Sequence, residues 1–283
     1  MADSDPFIPA WTEPFVAKRR ADLVHGSPFG GYDRDDAWGG ATGAGVTVAV
    51  IDSGIDPRHP AVGRVTRAVK VERTGDEFAI VEDPEGLDLV GHGTACAGII
   101  RSIAPDVDLV SVRVLGSDNK SSGMAFAHAL DWVITQGFDV ANLSLSSRSE
   151  DLHGTFHELV DRAYFGGCLL ICSASNTPGQ PSYPSLFSSV VSVASHDIPD
   201  PWTYFYNPAP PVEFGAWGVN VPVAWQDGAQ VTASGNSFAA PHIAGLAALI
   251  KSKHPQLTAF ELKAVLAAVS MSARPDQVST EAH

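Results

Sequence analysis

The chain has 283 residues, of which 45% are hydrophobic, and this length predicts one large α/β domain or two small ones. Its 18 basic and 32 acidic residues give a formal charge of −14, which argues against binding to nucleic acid or to an anionic membrane surface. We expect a soluble, cytoplasmic protein, because no secretory signal pattern opens the sequence and every apolar stretch is too short to span a membrane. No feature of the sequence indicates an oligomeric state.

Continuous apolar runs predict the strands. Such runs are typical of strands that are buried on both faces of a parallel sheet. The first run is followed directly by Asp-Ser-Gly. The predicted strands are Val46–Ile51, Leu109–Leu115, Val140–Leu145, Leu169–Ala174 and Val190–Ala194.

Helical patterns lie between and after these runs. Apolar residues at helical spacing predict a helix over Gly123–Gln136. The segment Ser237–Lys253 is rich in Ala, Leu and Ile and is also predicted to be helical. Thr258–Glu261 is a capping box, which predicts a further helix that runs to about Ser270.

The alternation of strands and helices predicts a doubly wound α/β domain with a mainly parallel sheet over residues 43–271. Residues 1–42 are rich in proline and acidic residues, and we interpret them as an N-terminal extension. Residues 272–283 are predicted to form a polar C-terminal tail.

The three cysteines are too few to indicate a disulfide framework. On one strand, Cys168 and Cys172 would lie on the same face about 13 Å apart. A disulfide requires Cα atoms within about 7 Å. We therefore expect these two cysteines to be buried free thiols.

Three short segments carry residues that are suited to catalysis. Asp52 follows a buried strand, where open α/β sheets place their sites, although many such residues only form turns. His92 stands between glycines at the start of a small-residue run, and a lone histidine is often structural. Ser237 opens a predicted helix, where an N-cap is the alternative interpretation. Together the three occur in an order that is known for catalytic triads.

These segments carry a family resemblance. Asp52–Gly54, His92–Thr94 and Ser237–Pro241 resemble the three signatures of the subtilisin family, and the similarity covers about residues 43–270. The resemblance implies a subtilisin-like fold and serine endopeptidase activity on peptide or protein substrates. It implies no cofactor, and we predict no metal site.

The resemblance also assigns roles. His92 would take the proton from Ser237 and later return it to the leaving amine, while Asp52 would fix the tautomer of His92. The backbone N–H of Ser237 would be one oxyanion donor. Asn176, which follows a predicted strand, would be the second. The alternative donor, Asn142, lies inside a strand pattern, where a structural hydrogen bond suits it better.

Substrate binding follows from the resemblance alone. Family members pair an extended peptide with exposed backbone. The matching residues are Ser144, Leu145 and Ser146 in one segment and the stretch from Gly116 to Gly123 in another. The side-chain preference is not readable from the sequence.

Three residues depart from the family pattern. Asn236 stands where the family usually has Thr, and Ser146 and Ser175 stand where it usually has Gly. We expect them to alter rate or specificity, because an added Cβ changes the space beside the substrate.

The region after the catalytic histidine also differs. Many family members carry a calcium-binding loop there, but Gly98–Pro105 leaves no room for it, so we predict that this site is absent. Cys96 falls one helical turn after His92 and is either a small packing residue or a point where a mercurial would disturb His92. The segment Phe7–Trp11 either blocks the cleft or simply covers the domain.

Other functions remain open at this stage. One is a dedicated processing peptidase that cuts a single partner or precursor peptide. Another is a subtilisin-fold binding protein with little or no turnover, and a third is ligation by an amine that attacks the acyl-enzyme. The intact triad favours hydrolysis.

Overall fold

Strands and helices alternate along most of the chain. The computed structural model describes residues 9–10, 12–15, 32–75 and 77–273. The described strands are β1 (Thr47–Asp52), β2 (Val65–Thr74), β3 (Glu77–Glu82), β4 (Asp108–Arg113), β5 (Val140–Leu143), β6 (Leu169–Ser173), β7 (Val191–His196), β8 (Tyr204–Tyr206), β9 (Phe214–Trp217), β10 (Val221–Ala224) and β11 (Gln230–Ala233). The described α-helices are α1 (Arg34–Trp38), α2 (His92–Ile103), α3 (Gly123–Gln136), α4 (His153–Gly166), α5 (Asn236–Lys253) and α6 (Ala259–Ala268).

Nine of these strands form one sheet in the order β3-β2-β4-β1-β5-β6-β7-β9-β8. The seven inner strands pair in parallel, and β3 and β8 pair antiparallel at the two edges. β10 and β11 form a separate antiparallel pair. The predicted doubly wound, mainly parallel sheet is confirmed.

Helices cover both faces of the sheet. In β1, Val48 and Val50 pack into the core formed with α2, α5 and α6, whereas Ala49 and Ile51 pack into the core formed with α3 and α4. Successive side chains of a strand point to opposite faces. Burial on both faces therefore requires an apolar residue at every position, which explains the continuous apolar runs.

The five predicted strands lie within two residues of β1, β4, β5, β6 and β7, and the helix predicted over Gly123–Gln136 is α3. The capping box at Thr258 is present, and α6 ends at Ala268. The sequence did not predict the β2–β3 hairpin. Its residues are mostly half-buried or exposed, so they lack the continuous apolar signal of the inner strands.

Part of the predicted N-terminal extension is packed into the core. Ala37 of α1 and Phe15 are both fully buried. Of the segment Phe7–Trp11, only residues 9 and 10 are described, and residues 274–283 of the predicted tail also lie outside the described residues. Among the described residues, no helix is both long and apolar enough to cross a membrane.

Candidate active site

The three predicted catalytic residues lie at the carboxyl end of the central strand β1. Asp52 ends β1, which lies between β4 and β5. His92 is the first residue of α2, and Ser237 is the second residue of α5. Both helices share one core on one face of the sheet. They therefore deliver His92 and Ser237 to the carboxyl end of β1, where open α/β sheets place their sites.

Asp52 and His92 form a close pair. His92 Nδ1 lies 2.8 Å from Asp52 Oδ1 and 2.9 Å from Oδ2, and the Asp52 carboxylate is fully buried. The Ser53 backbone N–H donates to Oδ1 at 2.7 Å. A carboxylate against Nδ1 requires the proton on that nitrogen, so Nε2 is left as the basic atom.

The environment of His92 raises its pKa above the usual value. Burial of the ring acts in the opposite direction, but the charge and hydrogen bond of Asp52, and then the charge of Asp88, outweigh it. The side chain of His92 is only 12% exposed, and its ring packs on Phe238 with a centroid separation of 5.2 Å. A protonated His92 is thus stabilised at this position.

Asp88 fixes the start of α2, and the sequence did not single it out. Its Oδ1 accepts from Ser53 Oγ at 2.8 Å and from the backbone N–H groups of Val90 and Gly91 at 2.9 and 2.7 Å. Its Oδ2 accepts from Thr94 N at 2.8 Å and Thr94 Oγ1 at 2.5 Å. A carboxylate just before a helix that opens with His-Gly-Thr is the signal that was available.

The glycine in this signature has a steric reason. A Cβ on Gly93 would collide with the carbonyl oxygen of Gly54 and approach the Cβ of Asp52 to 3.1 Å. A larger residue would therefore push the start of α2 away from β1. The glycine allows the short distance between His92 and Asp52.

Ser237 is held through its carbonyl group. Pro241, four residues later in α5, has no N–H to donate to that oxygen. Ser144 Oγ donates to it instead at 2.9 Å, and Cys96 Sγ lies 3.6 Å from it. Asn142 Nδ2 donates to Ser144 Oγ at 2.9 Å, so Asn142 has the structural hydrogen bond expected of it.

Asn176 is hydrogen-bonded to the residue that precedes Ser237. Its Oδ1 accepts from the Asn236 backbone N–H at 2.9 Å, and its side chain lines the same cleft as His92 and Ser237. Among the described residues, none accepts a hydrogen bond from the Asn176 amide nitrogen. This donor is therefore available to a group bound in the cleft.

The cleft has a volume of about 670 Å³ and combines the predicted residues. Gly123, Ser144, Leu145 and Ser146 line it, together with Ser175 and Asn176. Gly116 is not among the residues that line it, and its backbone N–H donates to the Lys120 carbonyl at 2.9 Å in the adjoining loop. A larger, open depression of about 1090 Å³ beside α3 and α4 contains none of the predicted site residues.

The Ser237 hydroxyl and His92 face this cleft together. Within the described part of the chain, no hydrogen bond joins them in this structure. Catalytic hydrogen bonds are often long without substrate and tighten in the complex. The basic side chains of the cleft, apart from His92, are Lys120, which lies in the predicted stretch from Gly116 to Gly123, and Arg148, which the sequence did not indicate. The described lining of the cleft has no carboxylate.

The comparisons with known proteins agree with this geometry. The protein-family model described as "Subtilase family" matches residues 43–280 of this chain. The chain belongs to the subtilase family. Both the family and its named members support a serine endopeptidase.

Among curated relatives, "Thermostable alkaline protease" of Halalkalibacterium halodurans is 35% identical over 229 residues, which are 77% of this chain and 60% of the relative. "Subtilisin Savinase" of Lederbergia lenta is 32% identical over 79% of this chain and 82% of its own length. The chain thus spans less than two thirds of the first relative's length.

Solved structures show the same similarity. A "cold adapted subtilisin-like serine proteinase" has a TM-score of 0.65 and 29% identity, over 87% of this chain and 88% of its own. "S41 Psychrophilic Protease" has a TM-score of 0.68 and 30% identity, over 80% and 83% of the two chains.

Proposed function

We propose that this subtilase is a serine endopeptidase that hydrolyses peptide bonds through an acyl-enzyme on Ser237. One observation carries the proposal. The buried Asp52 carboxylate holds His92 Nδ1 at 2.8 Å, and the opposite side of the ring faces a cleft that also contains Ser237 and Asn176.

The first half of the reaction forms the acyl-enzyme. Ser237 Oγ attacks the substrate carbonyl carbon while His92 Nε2 takes the hydroxyl proton. The charge that develops on the carbonyl oxygen is stabilised by the Ser237 backbone N–H and the Asn176 amide. When the C–N bond breaks, His92 returns the proton to the leaving amine.

The second half releases the acid product. Water enters the position of the amine, and His92 takes a proton from it as its oxygen attacks the acyl carbon. The Ser237–acyl bond then breaks and the serine recovers its proton from His92. Asp52 stabilises the imidazolium in both halves, so the enzyme is unchanged after one turnover.

The alternatives carry less weight. The relatives do not support a binding protein without turnover. A dedicated processing peptidase is a narrower form of the same activity, and Ser146 and Ser175 in the cleft suit an altered preference. A cytoplasmic location stays a prediction, which fractionation of the native host would test.

Hydrolysis of denatured casein tests the activity. Mass spectrometry identifies the products, and casein fragments with new N-termini are expected with the parent enzyme and with the control variant Ser175→Ala. Ser237→Ala and His92→Ala should lower the rate at least a thousandfold. Cleavage at the parent rate by Ser237→Ala would contradict the assignment. A parent that leaves casein intact but is labelled at Ser237 by a fluorophosphonate would favour the dedicated peptidase, and a parent that does neither would remove the proposed function.

A further inference from the structure

The unusual residue Asn236 connects the site to the N-terminal part of the chain. Its side chain is fully buried next to Ser237. Its Oδ1 accepts from the Ser195 backbone N–H at 2.9 Å. Its Nδ2 donates to the carbonyl oxygens of Ala10 and Ser175 at 2.8 and 3.1 Å and lies 3.3 Å from that of Ala174. A threonine here has one hydroxyl and cannot make this set of bonds.

The same residues hold the oxyanion donor. The Asn236 backbone N–H binds Asn176 Oδ1 at 2.9 Å. The Ala10 N–H donates to the Asn176 carbonyl oxygen at 3.3 Å, while the Ala10 carbonyl accepts from Asn236. Ala10, Asn176 and Asn236 therefore form a closed ring of hydrogen bonds, and Asn176 is restrained at both its backbone and its side chain.

The N-terminal contact is anchored beyond Ala10. Phe15 is fully buried in a cluster with Ala174 and Phe205, and a Cβ on Gly215 would collide with its ring. The backbone N–H of Phe15 donates to the Thr12 carbonyl at 2.9 Å. We name the described residues 9–10 and 12–15 the N-terminal strap. None of them lines the cleft, so the strap contacts Asn176 and Asn236 from outside it.

We infer that Asn236 is a positioning residue which, through the N-terminal strap, holds Asn176 in place to stabilise the oxyanion. The inference rests on the proposed function and reverses the blocking interpretation of this segment, since the strap aids catalysis. Oxyanion donors act by being fixed before the charge develops. Loosening Asn176 therefore lowers kcat more than it raises KM.

The central test is a double-mutant cycle. Asn236→Thr introduces the usual family residue and is expected to lower kcat roughly tenfold while KM changes by no more than about twofold. This loss of kcat is smaller than the 10²- to 10³-fold loss expected when Asn176→Ala removes the donor itself. In the Asn176→Ala background, Asn236→Thr should change kcat by less than about twofold, because its effect passes through Asn176. Independent, multiplying losses would overturn the inference.

Two further variants separate positioning from stability. Asn207→Thr replaces another buried asparagine that bonds backbone carbonyls outside the cleft, and it should lower the melting temperature without changing kcat. Deletion of residues 1–10 removes both Ala10 bonds but keeps Phe15, and it should lower kcat like Asn236→Thr. A rise in activity on deletion would instead show a blocking segment.

A readout that does not require turnover completes the test. The side-chain amide resonances of Asn176, assigned by their loss in Asn176→Ala, should shift or broaden in Asn236→Thr. If they are unchanged, the positioning role is wrong even for a protein that cleaves nothing. If they move but the parent shows no hydrolysis, the proposed function fails and the contact network stands.

Discussion

Replacement of Asp88 by Asn tests the account of how α2 carries its histidine. The carboxylate accepts five hydrogen bonds, three at Oδ1 and two at Oδ2. In Asn, one oxygen becomes an NH₂ group, which faces donors whichever way the amide turns. One or two bonds to a charged acceptor are lost, each worth about 1.5–3 kcal/mol, so we expect a destabilisation of about 1.5–6 kcal/mol.

The same change acts on His92. The charge of Asp88 is one of the influences that raise the His92 pKa, so its removal lowers that pKa. His92 must be neutral to accept a proton. The acid limb of kcat/KM should therefore move to lower pH in Asp88→Asn.

Urea unfolding and the pH profile of kcat/KM measure the two effects. Asp131→Asn is the control, because it removes the same charge from an exposed ion pair with Arg162, where less than about 1 kcal/mol is expected. Unchanged stability in Asp88→Asn, or an acid limb that moves to higher pH, would refute the assigned role of Asp88.

Four more predictions concern single side chains. For the parent enzyme, kcat/KM should rise with pH through an apparent pKa above about 6.5, since the His92 pKa is raised, and a maximum near pH 5 would contradict this role. Burial lowers the pKa of His242 to about 4, although its hydrogen bond to the Phe238 carbonyl opposes this. Between about pH 6.5 and pH 4, the unfolded chain therefore binds one more proton at His242 than the folded chain does. About 3 kcal/mol of the free energy of unfolding that is present above pH 6.5 is lost as the pH falls through this range. Urea unfolding of His242→Gln should show a flatter pH dependence. A mercurial should inhibit the parent but not Cys96→Ala, because Cys96 Sγ lies 3.8 Å from Asp52 Oδ2 and a bulky group on it would disturb the Asp52–His92 pair. Burial raises the pKa of this thiol, so the inhibition should develop slowly. Equal inhibition of both proteins would place the reactive thiol elsewhere. Arg148→Glu should raise KM several-fold more for acidic peptides than for basic ones, because Arg148 is a cation in a cleft whose described lining has no carboxylate. Equal changes in KM for both peptides would show that the charge of Arg148 does not affect substrate preference.

The inner strands and the catalytic motifs were predictable for different physical reasons. β1, buried on both faces, needs an apolar residue at every position, so its burial is visible in the sequence. Asp52, His92 and Ser237 each stand in short segments whose small residues permit close backbone approach, as Gly93 does against Gly54. Short-range patterns of this kind survive in a single sequence.

The parts that were missed depend on distant contacts, on backbone donors or on loop conformation. Asn236 bonds Ala10 across 226 residues, and no periodicity records such a pair. Three of the five donors to Asp88 are backbone N–H groups, so its only signal in the sequence is an acidic residue shortly before α2. Gly116, expected in the cleft, instead closes its own loop through Lys120, a detail set by loop conformation.

Covalent labelling tests the central claim most directly. A fluorophosphonate reacts with a serine hydroxyl only when a neighbouring base and oxyanion donors activate it. Purified protein treated with the probe should carry one label, which tryptic mass spectrometry places on Ser237 and which disappears in Ser237→Ala and His92→Ala. Labelling of another serine, or none at Ser237 in folded protein, would contradict the account.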